Sequence, residues 1–201
     1  MTTLETLNQT VFLHLNADLS TPAWKVKVAI VAAEYLIYLI PVFLVGLWCW
    51  GSKSQREMAL KACIVAAVAL GINQILGIIY PHPRPFVIGL GHTFITHASD
   101  SSFPSDHATI FLALGLTLLF ANVRSAAGWT TLFLGTWVAW ARIFLGVHYP
   151  LDMAGAVAVV VAVCLFINPI WSRLGERATE QATKIYGALF ARPIALGWIR
   201  R

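Results

Sequence analysis

Five stretches of this chain contain no charged residue: Tyr35–Ser52, Ala62–Pro83, Ala108–Val123, Ser125–Ala141 and Met153–Ser172. A helix crosses the hydrocarbon core of a bilayer in about 20 apolar residues, and several of these windows reach that length. The third is short, but Ser105 and Asp106 can sit at its interface. Charged residues make up 11% of the 201, and hydrophobic residues 58%. Five such helices buried in a soluble globule of this size would leave too little polar surface to keep it dissolved. The pattern predicts an all-α, polytopic membrane helical bundle in one domain, residues 1–201. It has about five transmembrane helices, at roughly 24–50, 58–80, 105–122, 127–146 and 151–170. A more polar tail follows. Its IYGALFARPIALGW run can re-enter the interface, while Lys184, Arg192 and Pro193 count against a sixth full crossing.

Ahead of the first crossing, Met1–Ser20 has neither the basic start nor the long apolar core of a cleaved signal peptide. Its LNQTVFLHLNADL run is weakly amphipathic and is expected to lie along the membrane interface. Cys49, Cys63 and Cys164 fall in or beside apolar helices with no metal or redox spacing, so they read as small packing residues. The formal charge of +5 comes without a basic tract long enough for a phosphate-backbone footprint, so nucleic acid is not a partner.

Topology accounts for the charge. With five spans, one face carries Lys53, Arg56, Lys61, Arg124, Arg173, Arg177, Lys184, Arg192, Arg200 and Arg201. The other carries Lys25, Lys27, Arg84 and Arg142. The positive-inside rule puts the richer face in the cytoplasm and the poorer one outside.

Three polar stretches then share the outer face, because alternating helix direction delivers them there. They are YPHPRPF, Tyr80–Phe86; PSDH, Pro104–His107; and ARIFLGVHYPLD, Ala141–Asp152. Arg84 and Arg142 supply planar donor forks suited to phosphate oxygens. Ser105 and the backbone N–H groups opening the third helix suit the same anion, although Ser105 and Asp106 can equally be a plain helix cap. His107 and His148 are the groups here that exchange protons near neutral pH. Asp152 stands four positions after His148, the spacing at which a carboxylate holds one ring nitrogen and leaves the other free. An anion, a nucleophilic base and a separate proton donor describe phosphoryl transfer.

These blocks resemble the type-2 phosphatidic acid phosphatase superfamily, and within it the bacterial undecaprenyl-diphosphatase branch associated with bacitracin resistance. The superfamily pattern has a lysine seven residues before an Arg-Pro, then Pro-Ser-Gly-His, then Ser-Arg with histidine six and aspartate ten residues after that arginine. Arg84-Pro85, Pro104–His107, and Arg142 with His148 and Asp152 follow it in order. Three positions depart from it: Gly77 stands for the lysine, Asp106 for the glycine and Ala141 for the serine.

The resemblance implies a phosphohistidine mechanism. His148 attacks the terminal phosphorus, Asp152 orients it, and His107 protonates the leaving oxygen. Arg84, Ser105 and Arg142 hold the transferred group. Asn73, Gln74 and His82 are candidates to replace the missing lysine, and Asp106 to cap the helix or tune His107. Glu34, a carboxylate in an apolar segment, either faces His107, Arg84 or the diphosphate, or makes an interhelical contact or meets water; both readings stay open. His97 and Asp100 belong to none of the three blocks; they read first as loop-surface residues, with the polar entrance as the alternative. No cofactor or metal is called for, since Asp100, Asp106 and Asp152 make no convincing magnesium site. The substrate implied is a membrane polyprenyl diphosphate, undecaprenyl diphosphate, whose chain stays in the bilayer. A broader lipid phosphatase acting on phosphatidylglycerol phosphate or phosphatidate stays open, as does a small anion transporter. The sequence sets no oligomeric state.

Overall fold

The computed structural model describes residues 2–200 and is entirely helical. Helix α1, Thr3–Leu15, is capped by Thr2, whose side chain accepts from Glu5 N. It buries Asn8 and Phe12 while leaving Leu4, Leu7 and Leu13 exposed, the habit of a helix lying on a membrane interface.

The expected first span is two helices: α2, Ala23–Tyr35, and α3, Leu39–Trp50, joined by a 3₁₀ turn at Leu36–Tyr38. Pro41 is the physical cause, since it lacks an N–H and its ring crowds the carbonyl four residues back. Helix α4, Lys53–Ile79, starts earlier than the hydrophobic pattern alone suggests because Ser52 and Gln55 form a capping box. Helices α5, Asp106–Ala121, and α6, Ala126–Phe144, follow.

Helix α7, Pro150–Leu189, is 40 residues long, about twice the expected span. Its second half is polar but rich in helix formers, which carry it beyond the bilayer. A short α8, Ala191–Ala195, closes the chain. The tail after α7 holds only this short helix among the described residues. It folds back on the end of α3 and α4, where Arg56 donates to the carbonyls of Trp48 and Arg200 and Arg200 N donates to Cys49 O.

Three segments are long and apolar enough to cross a membrane: Ala23–Trp50, Lys53–Ile79 and Pro150–Leu189. The expectation of five is corrected on that measure. Helix α5 has only 16 residues, and α6 is diluted by tryptophan, threonine and Arg142. Helix α5 is an inner element, whereas α6 keeps an outward face with Trp129 and Phe133. Helix α5 packs against α4, α6 and α7, so much of its surface meets protein rather than lipid.

Buried Val65, Ala69, Ala113, Val160, Val163 and Cys164 join α4, α5 and α7. Small residues Ala29, Ala32 and Ala33 let α2 lie close to Ala141 of α6. Large apolar side chains such as Val42, Ile75, Phe133, Leu165 and Phe166 face outward, which is stable only against lipid.

Candidate active site

The end of α4, the start of α5 and the turn between α6 and α7 meet at one end of the bundle. They enclose a cavity of about 340 Å³ whose polar wall includes Asn73, Gln74, Arg84, His97, Asp100, Asp106, His107, Arg142 and His148. Most of the predicted site residues, from all three sequence blocks, therefore stand in one wall.

Arg142 lies in the last turn of α6, and the chain then reverses through Leu145–Tyr149. Gly146 makes this possible: its φ is +85°, and a Cβ there would run into the carbonyl of His92. Pro150 begins α7 without needing an N–H partner, and Asp152 completes the start by accepting from Tyr149 N at 2.7 Å. The same oxygen, Oδ2, lies 3.0 Å from Nδ1 of His148, fixing the ring. Asp152 is thus held by the fold before it holds the histidine.

Each histidine meets one arginine. Arg84 Nη1 lies 3.2 Å from His148 Nε2, and Arg142 Nη1 lies 3.3 Å from His107 Nε2. Arg84 is clamped in place, with Nε donating to Asp100 at 2.9 Å, Nη1 to Val147 O at 2.9 Å and Nη2 to Ser101 O at 3.2 Å. Arg142 is 1% exposed, and its Nε and Nη2 have no partner among the described residues. Buried donors left unpaired are costly, so this guanidinium is built to receive an anion.

Burial, followed by the charges of Arg142 and Arg84, holds the His148 ring well below its ordinary 6.5. It is therefore neutral at physiological pH, with the proton on Nδ1 facing Asp152 and the Nε2 lone pair toward the cavity. His97, which lies edge-on to His148 at 6.3 Å, is also shifted down, chiefly by burial.

Several expectations need correction. Ser105 is fully buried and is not in the cavity wall. Its Oγ accepts from Ala108 N as the cap of α5, so it presents the helix start rather than its hydroxyl. His82 is not in the wall either: its nitrogens face Glu5 and Ser102. Glu34 takes the second of its two readings, an interhelical pair, with Arg142 of α6 at 3.6 Å rather than with His107 or Arg84.

Asn73 and Gln74 do line the cavity, where both donate to Asp106, at 2.8 and 3.2 Å. Gly77 itself lines the cavity, and a Cβ there would stand 3.3 Å from Ser101 Cβ, a tight contact that the serine must yield to. Sequence reasoning missed Ser102, whose Oγ lies 3.4 Å from Asp152 Oδ1, and Glu5. Nothing in the local sequence of either signals that contact.

The PAP2 superfamily pattern matches residues 58–176. The Escherichia coli K12 protein YbjG, provisionally named an undecaprenyl-diphosphatase, is 38% identical over 98% of this chain and 99% of its own. The undecaprenyl-diphosphatase BcrC of Bacillus subtilis 168 is 36% identical over 81% of this chain and 83% of its own. A Bacillus licheniformis BcrC named as a bacitracin transport permease protein is 34% identical over 67% and 66% respectively. In fold, the chain is similar to the crystal structure of a transmembrane PAP2-type phosphatidylglycerolphosphate phosphatase from Bacillus subtilis. The TM-score is 0.63 at 16% identity, over 86% of this chain and 88% of that one.

Proposed function

Since this chain belongs to the PAP2 superfamily, we propose that it is an undecaprenyl-diphosphatase, the activity that the names of two of its relatives carry. Its substrate is undecaprenyl diphosphate, and its products are undecaprenyl phosphate and inorganic phosphate. The observation that carries the chemistry is Arg142, buried with two unpartnered nitrogens in the cavity that holds the neutral, carboxylate-oriented His148.

His148 Nε2 attacks the terminal phosphorus as the bond to the bridging oxygen breaks. Asp152 holds the Nδ1 proton and supports the positive charge that develops on the ring. His107 gives a proton to the leaving oxygen, then takes one from the water that cleaves the phosphohistidine. Arg84, Arg142 and the opening N–H groups of α5 stabilise the equatorial oxygens. The first N–H groups of a helix have no carbonyl four residues back, so those of Asp106 and His107 suit this role.

The membrane arrangement belongs to the same proposal. Five crossings place Ala23–Trp50, Lys53–Ile79, α5, α6 and the first half of α7 in the bilayer of the bacterial inner membrane. The packing of α5 against α4, α6 and α7 supports this, because it gives the shorter helix partners on several sides. The active site faces the cell exterior or periplasm, which agrees with the poorer basic charge at that end. The lipid tail remains in the membrane while the diphosphate enters the cavity.

The test is phosphate release from undecaprenyl diphosphate by purified protein in detergent, with and without EDTA. Side-by-side assays use phosphatidylglycerol phosphate and phosphatidate. His148→Ala is expected to lose at least about 1,000-fold in kcat, and Arg142→Lys about 100-fold, because an ammonium cannot replace the planar fork. Normal turnover by His148→Ala sinks the mechanism. Faster hydrolysis of either phospholipid replaces the substrate assignment, and anion flux surviving His148→Ala would favour a transporter.

A further inference from the structure

Behind Asp152, away from the phosphate cavity, a line of side chains runs to the interfacial helix α1. Asp152 Oδ1 is 3.4 Å from Ser102 Oγ, Ser102 Oγ is 3.0 Å from His82 Nδ1, and His82 Nε2 is 3.3 Å from Glu5 Oε2. The members come from four separate parts of the chain. Ser102 is completely buried, while the side chains of His82 and Glu5 are 15% and 24% exposed.

We infer that Ser102 and His82 are positioning residues for this reaction, holding the second oxygen of Asp152 and so the aim of His148, with Glu5 as their outer anchor. The inference rests on the phosphohistidine reading above. Asp152 Oδ2 is already occupied by His148 Nδ1 and Tyr149 N. With only that oxygen held, the carboxylate could pivot about it; a hydroxyl on Oδ1 fixes its plane.

Proton counting gives the line a direction. Ser102 has one proton, and donating it to Asp152 requires its oxygen to accept from His82 Nδ1–H. On the other side of the ring the Glu5 carboxylate only accepts, so the ring donates to it through Nε2–H. The other ionisable groups facing it are Tyr149, edge-on at 5.0 Å, and Tyr80, stacked at 6.1 Å.

A second observation fixes α1 at the same place. Asn8 accepts from Leu151 N at 3.1 Å, and Phe12 packs on Tyr149 with ring centroids 5.4 Å apart. Helix α1 is thereby attached to both ends of the segment that presents His148 and Asp152, so its role extends beyond anchoring in lipid.

The experiment compares wild type, Ser102→Ala, His82→Ala, the double variant and His148→Ala on undecaprenyl diphosphate. It measures kcat, KM and the single-turnover rate of His148 phosphorylation. Supporting groups behind a reactive histidine typically matter by about 10- to 100-fold. Each single variant is expected to lose that much in kcat and phosphorylation rate with KM within about threefold. The double variant should be no slower than the slower single one, as for members of one network. His82→Asn, which keeps a donor near Nδ1, should recover part of the rate.

Wild-type rates in both single variants, or losses that multiply in the double, overturn the inference while an inactive His148→Ala leaves the phosphohistidine reading standing. Normal turnover by His148→Ala removes that reading and this inference with it. If the buried variants fail to fold, as judged by thermal unfolding in detergent, Glu5→Ala on α1 decides. A several-fold drop in kcat, recovered by Glu5→Gln, supports the relay, and no drop overturns it.

Discussion

Asn73 Nδ2 donates to Asp106 Oδ1 across 2.8 Å, so the acid at the mouth of the anion cavity is tied back to α4. Gln74 holds the other oxygen at 3.2 Å, and Asn73 also reaches Thr109 Oγ1 at 2.9 Å. Neutral amides thus hold a carboxylate at the cavity wall, where it would repel the diphosphate of the proposed substrate. Asp106→Asn is expected to lower KM for undecaprenyl diphosphate about two- to tenfold, with kcat within about threefold. The double variant Asn73→Ala, Gln74→Ala frees the charge and raises KM. Loss of kcat in Asp106→Asn, measured in steady state, would instead make the carboxylate a participant in the chemistry.

The downward shift of His148 sets the acid side of the rate profile. In the proposed mechanism only the neutral ring attacks, so activity is expected to fall as pH drops through a value well below 6.5. In single-turnover phosphorylation of His148, the acid limb is expected below pH 6.5. Arg84→Gln should move it upward by removing one of the neighbouring cations. The unfolded chain binds this proton more readily than the folded one, so the same group costs stability as pH falls below about 6.5. An acid limb at or above the ordinary histidine value contradicts the burial that the structure assigns to this ring.

Gly146 is the hinge on which the geometry of the third block turns. At φ +85° with the His92 carbonyl against the missing Cβ, Gly146→Ala must either strain the backbone or push the 89–103 loop outward. That loop carries Asp100 and Ser101, which hold Arg84. The substitution is expected to cost about 1–3 kcal/mol of stability and at least tenfold in kcat. Thermal unfolding in detergent and the phosphate-release assay check the two effects. A variant with wild-type values in both would show that the loop yields freely.

The chemistry was more legible in the sequence than its support. Arg84, His107, Arg142, His148 and Asp152 could be gathered because helix direction alone brings their blocks to one face, and His148 and Asp152 are one helical turn apart. The behaviour of Ser105 was half legible: its cap role followed from its place before an apolar run, but the resulting loss of its hydroxyl from the cavity did not. Glu34, His82 and Ser102 find partners far away in sequence, at Arg142, Glu5 and Asp152. No local spacing encodes such contacts. The length of α7 was hidden for another reason. Hydropathy marks where a helix leaves the lipid, whereas helix propensity and Arg56 decide where it ends and what holds the tail.

That last contact gives a prediction at the opposite end of the molecule from the reaction. Arg56 is 4% exposed, donates to Trp48 O and Arg200 O, each at 2.8 Å, and lies over the Tyr186 ring at 5.2 Å. It ties α4 to the end of α3, to the overhang of α7 and to the tail. Truncation takes the charged donor from Trp48 O and leaves Arg200 O with only the Tyr186 hydroxyl at 3.2 Å; a hydrogen bond to a charged group is worth about 1.5–3 kcal/mol. Arg56→Ala is expected to lower the unfolding temperature in detergent by several degrees, at about 2–4 °C per kcal/mol for a chain of this size. It should also open the tail to protease, while kcat at moderate temperature stays within about twofold because no active-site residue touches it. Unchanged melting and protease resistance would mean that the tail is held without Arg56, by the bonds of Trp50 to Trp198, of Arg200 N to the Cys49 carbonyl and of Tyr186 to Arg200 O. A lost kcat with intact melting would mean that this end of the bundle communicates with the other.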